Sequence, residues 1–390
     1  MPGIIVKPRS RIFHGHEWVY GTEIKKQFGN PEPGDVVSIK DFKDRPLGSG
    51  IFNPKSQIAV RRFSRRKQDL DEDFFERRIG RAWNYRRSLP IDTRFCRVVW
   101  SESDGLPGVI IDRYEDHFVL QTLTLAMHQR IELISRATEK LFSPKSVIER
   151  NDSPLLVAEG IEPGSRTLAG ERPERFTIET AGIPLTVDLA QGHKTGLYLD
   201  QLENYEAVAA LGKDREKVLD CFCNQGGFAL ACKRAGATTV HGIDVGEPVI
   251  EQAKANAERA GLEVTFEATN AFHFLKKAQK EGRTYDLIVL DPPSFTRNKK
   301  SLNDALRGYK EIHLRALKML EPGGHLATFS CSHHLSHTGF LDMVRSASVD
   351  AKRTLREVHR FSQRPDHPII PTIPETEYLR GFAFEVMPAW

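Results

Sequence analysis

From about Tyr205 onward, this 390-residue chain alternates strictly between short β-type runs and amphipathic helical stretches, and no other feature restricts its fold as much. Lys217–Cys221 reads as a strand, Phe228–Ala235 as a helix and Thr239–Asp244 as a strand. Pro248–Ala260 then reads as a helix, Glu263–Glu267 as a strand, Ala271–Lys280 as a helix and Leu287–Leu290 as a strand. Strands separated by whole helices lie parallel, with the helices covering both faces, so the expected fold class is α/β with a doubly wound sheet. Such sheets bind ligands beyond the carboxyl ends of their strands, and chemistry is sought there first.

The chain is longer than one hydrophobic core usually serves, so two or three domains are expected. Hydrophobic residues at 39% and charged residues at 28% describe a globular chain with material for real cores. No apolar h-region follows Lys7 and Arg9, and no run approaches the ~20 apolar residues a bilayer span needs, so neither secretion nor a membrane partner is expected. Five scattered cysteines, an odd number, argue for a reducing compartment, and a cytoplasmic protein is expected. Cys221 and Cys223 are too close for a zinc knuckle and no second pair completes a site, so no metal is expected. Residues 1–90 hold 19 Lys and Arg against 11 Asp and Glu, about +8, while the remainder carries about −4. A basic excess at one end fits a polyanionic partner, although a charge run is also what an ordinary solvated surface shows.

Before residue 64 the pattern is short β-type runs such as Val36-Val37-Ser38-Ile39, broken by turn material such as Asn30-Pro31-Glu32-Pro33-Gly34-Asp35, which describes a small β-barrel. The basic run Arg61-Arg62-Phe63-Ser64-Arg65-Arg66-Lys67 leads into a helix over Asp71–Ser88. A hairpin (Val109–Tyr114 and Phe118–Thr124), a helix over Ala126–Leu141 and strands Phe176–Glu179 and Leu185–Val187 follow, as an α+β insert. The expected domains are residues 1–70, 71–190 and 191–390.

At the first strand's end, Asp220-Cys221-Phe222-Cys223-Asn224-Gln225-Gly226-Gly227-Phe228 sets a glycine pair where a helix starts, letting a ligand press on the backbone. Asp244 ends the second strand, at the distance from which a carboxylate accepts hydrogen bonds from the ribose hydroxyls of an adenosine cofactor. The full Gly-x-Gly-x-x-Gly turn for a pyrophosphate is missing, and S-adenosylmethionine, which has no phosphates, needs none. After the fourth strand, Asp291-Pro292-Pro293-Ser294-Phe295 fixes a carboxylate at the sheet edge with an aromatic nearby, suited to hydrogen-bond and stack against an extruded base. Cys331, in Ser330-Cys331-Ser332-His333-His334 at the end of the fifth strand, is either a small buried hydrophobe or a nucleophile. Methylation of a pyrimidine C5 requires a thiolate to add first to C6, and Cys331 shares the sheet edge with Asp291. His333 and His334 are candidates to assist proton movement.

With these motifs the sequence resembles the bacterial 23S rRNA cytosine-C5 methyltransferases that carry an N-terminal PUA domain. Gly15-His16-Glu17-Trp18-Val19-Tyr20 and Asn53–Arg61 resemble the PUA module, and Glu102–Tyr114 the family's middle domain. Gly192–Gln201, Gly308–Ile312, Asp366-His367-Pro368 and Tyr378–Phe382 also fall where the family has them. The resemblance implies a Rossmann-like class I methyltransferase sheet with a PUA-like β-barrel and a small α+β middle domain, S-adenosylmethionine as cofactor, RNA as partner and a homodimer. It implies Cys331 as nucleophile and Asp291 as its catalytic partner. It further implies a cofactor pocket of Lys194, Tyr198, Asp200, Gln201, Asp220, Phe222, Asn224, Gly226, Gly227, Phe228, Asp244, Asn270, Ala271 and Asp291, and a substrate site of Pro292, Pro293, Phe295 and Lys310. Asn270 stands where relatives commonly have an acidic residue, and its amide oxygen is expected to accept the adenine amine instead. Two other functions compete: methylation of an exocyclic amine or purine nitrogen without a cysteine, and an RNA-binding assembly factor without catalysis.

Overall fold

Turn-rich sequence up to Ser64 folds as six short strands: β1 (Gly3–Val6), β2 (Trp18–Val19), β3 (Ile24–Phe28), β4 (Val36–Lys40), β5 (Pro46–Phe52) and β6 (Val60–Ser64). They form one sheet in the order β2-β6-β5-β4-β1-β3, around Ile4, Val6, Val37, Ile39 and Val60. Helix α1 (Glu72–Arg87) follows, started by Asp71, whose side chain accepts the Phe74 amide at 2.8 Å. Then come β7 (Phe95–Trp100), β8 (Val109–Tyr114), β9 (His117–Thr122), α2 (Leu125–His128), α3 (Ile131–Phe142), β10 (Ser146–Asn151) and β11 (Gly164–Gly170), whose strands make a five-stranded sheet in the order β11-β10-β9-β8-β7.

The helix expected over Ala126–Leu141 is therefore two helices. At the break, the Arg130 guanidinium donates to Ala126 O at 2.8 Å and to the distant Gly34 O at 3.2 Å, and Gln129 lies so close to Gly34 that a Cβ there would stand 2.1 Å from its Oε1. Ile51, Phe63 and Leu70 from the N-terminal segment share one core with Phe74, Phe75 and Ile79 of α1 and with the five-stranded sheet.

The computed structural model describes residues 1–173, 175–189, 196–295, 302–332 and 335–388. It separates into a first unit of Met1–Glu174, Asp188–Leu199 and Pro365–Thr376, and a second of Arg175–Val187, Asp200–Arg364 and Glu377–Trp390. The returning segment Pro365–Thr376 is fastened into the first unit. Asp366 Oδ2 accepts the Arg97 amide at 2.8 Å, its carbonyl accepts Arg86 Nη2 at 2.7 Å, Ser103 donates to Pro368 O at 2.7 Å, and His16 Nε2 meets Glu375 Oε2 at 3.0 Å.

In the second unit, the hairpin of β12 (Phe176–Thr180) and β13 (Ile183–Val187) precedes α4 (Leu202–Gly212). The alternation then appears as β14 (Lys217–Cys221), α5 (Gly227–Arg234), β15 (Thr239–Asp244), α6 (Glu247–Ala260), β16 (Thr265–Ala268), α7 (Ala271–Lys280) and β17 (Tyr285–Leu290). It continues with α8 (Leu302–Lys318), β18 (Leu320–Ser330), α9 (His337–Ala351), β19 (Leu355–Ser362) and β20 (Arg380–Val386). The seven strands are ordered β16-β15-β14-β17-β18-β20-β19, the first five parallel and β20 antiparallel to both its neighbours. Helices cover both faces, so β17 reads as a continuous apolar run, with Ile288, Val289 and Leu290 fully buried. The strand order reverses between β14 and β17, which makes their carboxyl ends the switch point at which ligands bind in open sheets.

Candidate functional site

The loop after β14 is wound tightly by three left-handed residues, Phe222 (φ 66°), Asn224 (φ 48°) and Gly226 (φ 87°). Asn224 tolerates this because its own side-chain oxygen accepts the Gln225 amide at 2.8 Å. At Gly226 a Cβ would meet the Phe266 ring at 2.7 Å, so both the conformation and the space require glycine. Asp244, at the end of β15, closes on this loop: Oδ2 accepts the Asn224 amide at 3.0 Å and Oδ1 the Gly246 amide at 3.1 Å. Each oxygen keeps a lone pair for a further donor, which suits a ribose diol.

Asp220 is fully buried, with Oδ2 accepting the Ala229 amide at 3.0 Å and Oδ1 lacking a hydrogen-bond partner among the described residues. Burial drives its carboxyl well above the usual range against the lowering effect of that amide, and the nearby Asp291 and Asp244 charges push it further up. A buried carboxyl with one oxygen short of a donor fits a ligand group that brings N–H donors or positive charge, such as the ammonium or sulfonium of S-adenosylmethionine.

On the other side of the switch point, Asp291 follows β17 and Cys331 follows β18, two parallel neighbours whose last paired residues are Leu290 and Thr328. A relay fixes Asp291. Asn204 donates to Ser362 O at 3.1 Å and to Gln201 Oε1 at 2.6 Å, which turns the Gln201 amide nitrogen to donate to Asp291 Oδ2 at 3.0 Å. Below the loop, the fully buried Tyr309 hydroxyl accepts the Phe295 amide at 3.3 Å and reaches Pro293 O at 3.4 Å, tying α8 to the Asp-Pro-Pro turn. Burial raises the Tyr309 pKa, with Cys331 and Asp291 contributing from nearby. Of the five cysteines, Cys96, Cys221, Cys223 and Cys232 are buried and only Cys331 is partly exposed. Burial raises the thiol pKa values of Cys221, Cys223 and Cys232, which suppresses their thiolates.

Several expected residues stand elsewhere. Asn270 caps α7, its Oδ1 accepting the amides of Phe272 (3.0 Å) and His273 (3.3 Å), so the oxygen expected to accept an adenine amine also serves the helix start. Its Nδ2 and the Ala271 amide remain as candidate donors at that corner. Phe228 is packed between Tyr205 and Phe329, at ring distances of 4.8 and 5.1 Å. Asp200 accepts the Tyr378 hydroxyl at 2.6 Å and so anchors the C-terminal segment. Phe295 leans on Tyr309 at 4.5 Å between Phe222 and Phe272, which leaves less of its ring for a base than expected. Pro292 is buried and Pro293 exposed. Lys310 pairs with Asp350 Oδ2 at 2.6 Å. Tyr198 folds with the first unit, and Lys194, His333 and His334 lie outside the described residues. Among the described residues, no group of three His, Cys, Asp or Glu side chains is arranged to hold a metal ion, and no helix is long and apolar enough to cross a membrane. Sequence reasoning singles out neither Asn204 nor Tyr309. Tyr309 sits inside a motif that the sequence does display, Gly308–Ile312, where the neighbouring lysine draws the assignment.

Residues 4–65 match a PUA-like domain family, and residues 119–376 match the S-adenosylmethionine-dependent methyltransferase family. Two similar curated proteins are both named ribosomal RNA large subunit methyltransferase I. The one from Vibrio vulnificus (strain YJ016) is 36% identical, over 98% of each chain. The one from Tolumonas auensis is 40% identical, over 95% of each. A solved structure of a SAM-dependent methyltransferase from Streptococcus mutans aligns with TM-score 0.85 at 20% identity over 99% of this chain and 100% of its own. A methyltransferase structure complexed with SAH aligns with TM-score 0.86, also at 20% identity and the same coverage. At that identity the likeness shows a shared fold.

Proposed function

Because the chain belongs to the S-adenosylmethionine-dependent methyltransferase family and carries a PUA-like domain, we propose that it methylates C5 of a cytosine in 23S rRNA through a covalent bond between Cys331 and C6. The observation that carries this reading is that Cys331 alone among the cysteines is not buried, and that it follows the strand next to the one ending in Asp291. RNA as the partner is supported by the relatives' names, the PUA-like match and the positive charge of residues 1–90. A cytoplasmic homodimer belongs to the same reading, on the resemblance alone.

S-adenosylmethionine supplies an electrophilic methyl on a sulfonium. Asp244 would hold its ribose, Asp220 its cationic end, and the Phe222–Gly227 loop would supply backbone contacts. The chain's own chemistry begins with the Cys331 thiolate, which adds to C6 of the cytosine and moves electron density onto C5. Asp291, held by Gln201, accepts a hydrogen bond from the exocyclic amine of the base and, in its protonated form, donates one to N3, which favours charge build-up in the ring. Once C5 carries the methyl, a base removes the C5 proton, the C5–C6 double bond re-forms and the thiolate leaves.

The test is methyl transfer to undermodified 23S rRNA, followed by nucleoside analysis. The wild type is expected to yield 5-methylcytidine and Cys331→Ala none. Wild type on RNA carrying 5-fluorocytosine, whose C5 cannot lose fluorine as a proton is lost, is expected to leave a protein–RNA adduct stable to denaturing electrophoresis. A different modified nucleoside, or full activity in Cys331→Ala, overturns the cytosine-C5 assignment.

A further inference from the structure

The first unit contains a cleft of about 570 Å³ that the methyl-transfer chemistry does not use. One wall is the segment leaving β6, with Arg65, Arg66 and Lys67, and the other is α1, where Arg77, Arg78 and Arg81 lie on neighbouring positions of one helical face. Counting Arg62, seven basic side chains line it against two acidic ones, Glu17 and Glu102.

The acidic groups are already committed. Glu17 pairs with Arg62 and with Arg65, and Glu102 with Arg61, while Arg77 is matched by Asp73 at 2.9 Å. Arg66, Lys67, Arg78 and Arg81 have no carboxylate partner among the described residues. Arg78 is built into place rather than loose: its Nη2 donates to Phe63 O at 3.0 Å and it lies over the Phe74 ring at 5.4 Å. Gly105 makes room for it, since a Cβ there would stand 2.5 Å from Arg78 Nη1. Burial and the neighbouring Arg81 and Arg77 charges lower the Arg78 pKa, the mark of cations crowded together without a counter-charge. A set of like charges held together in this way is relieved when an anion with several charges enters.

The lining also says what kind of contact is made. Phe63 and Pro107 are buried, so the cleft offers no exposed aromatic face for base stacking, and Gln68 is its one side-chain amide. Guanidinium and ammonium groups without base readers grip phosphates and carry no sequence information.

We propose that this cleft binds consecutive phosphates of the RNA backbone, positioning the RNA independently of its sequence. The proposal rests on RNA being the substrate. The test measures binding of a fluorescently labelled 23S rRNA fragment by anisotropy, across a potassium chloride series, for the full-length wild type, Arg66→Gln/Arg81→Gln and Arg66→Lys/Arg81→Lys. All the altered side chains are exposed. The Gln pair is expected to weaken binding at least ~10-fold and to flatten the slope of log K against log salt by about 1.5, at roughly 0.7–0.9 for each phosphate no longer neutralised. The loss is expected in KM for RNA, with S-adenosylmethionine affinity unmoved. The Lys pair is expected to keep the slope. An unchanged slope and affinity in the Gln pair, while wild type binds and methylates the RNA, overturns the cleft assignment and leaves the proposed function standing. Wild type that binds S-adenosylmethionine but no RNA overturns both. Calorimetric binding of pyrophosphate that the Gln pair loses, with RNA affinity unaffected, assigns the cleft to a small anion and also overturns it.

Discussion

A carboxylate that is buried, crowded by like charges and short of one donor is costly to keep ionised, and Asp220 is all three. Its folded-state pKa is raised above the unfolded value of about 3.9. Its contribution to stability is therefore fully present below that value and lost as pH rises through the folded pKa, so at neutral pH it burdens the ligand-free protein. Asp220→Asn is expected to raise the melting temperature without ligand while weakening S-adenosylmethionine binding at least ~10-fold, about 1.4 kcal/mol, by calorimetry. Wild-type affinity is expected to fall as pH drops and Asp220 takes a proton, and the variant to lack that dependence. The positions of Asp220, Asp244, Asp291 and Cys331 are legible in the sequence because each stands at or within one residue of a strand's carboxyl end in a repeating pattern, where open sheets place ligands. Asn204 is not, because its importance is the hydrogen bond to Gln201, and nothing local to an asparagine in a helix announces a partner. Asn270 carries two signals at once. The helix start at Ala271 is visible in the sequence, and an asparagine immediately before it serves the helix amides first, yet the resemblance assigns its oxygen to a ligand.

Helix α8 and strand β18 are joined by His313, fully buried between them. Its Nδ1 lies 2.6 Å from Tyr309 O, which only accepts, so Nδ1 carries the proton and Nε2 accepts the Thr328 hydroxyl at 2.7 Å. Burial lowers its pKa to about 4. A depressed histidine contributes stability that is fully present above the unfolded pKa of about 6.5 and lost as pH falls toward the folded value. Urea unfolding between pH 7.5 and 4.5 is therefore expected to show a loss of up to about 3 kcal/mol, at 1.36 kcal/mol per pKa unit, that shrinks in His313→Gln. This link also carries Tyr309, so acid would loosen the Asp-Pro-Pro turn along with the helix. At this scale the alternation from β14 to β17 is readable from periodicity to within two residues at most ends. The break between α2 and α3 is not, because it is imposed by a turn of a distant strand, the Gly34 carbonyl held by Arg130.

Over the whole molecule, the chain order and the compact units disagree: Pro365–Thr376, read from the sequence as part of the catalytic domain's end, folds with the first unit. Hydrophobic periodicity reports what a segment buries and is silent about which core receives it, so this exchange leaves no trace in the pattern. A fragment ending at residue 189 leaves the buried Arg86 and the Arg97 amide without Asp366. At about 1–3 kcal/mol for each buried group left unpaired, it is expected to unfold at much lower urea than the first unit does within the full chain. The same stitch has a meaning during synthesis. The N-terminal unit emerges first but lacks its last strap until residue 376 has been added, roughly 10–40 s later at about 5–20 residues per second. Through that interval the growing chain exposes an unfinished face, and its passage to the native state is timed by translation of its own C-terminal end.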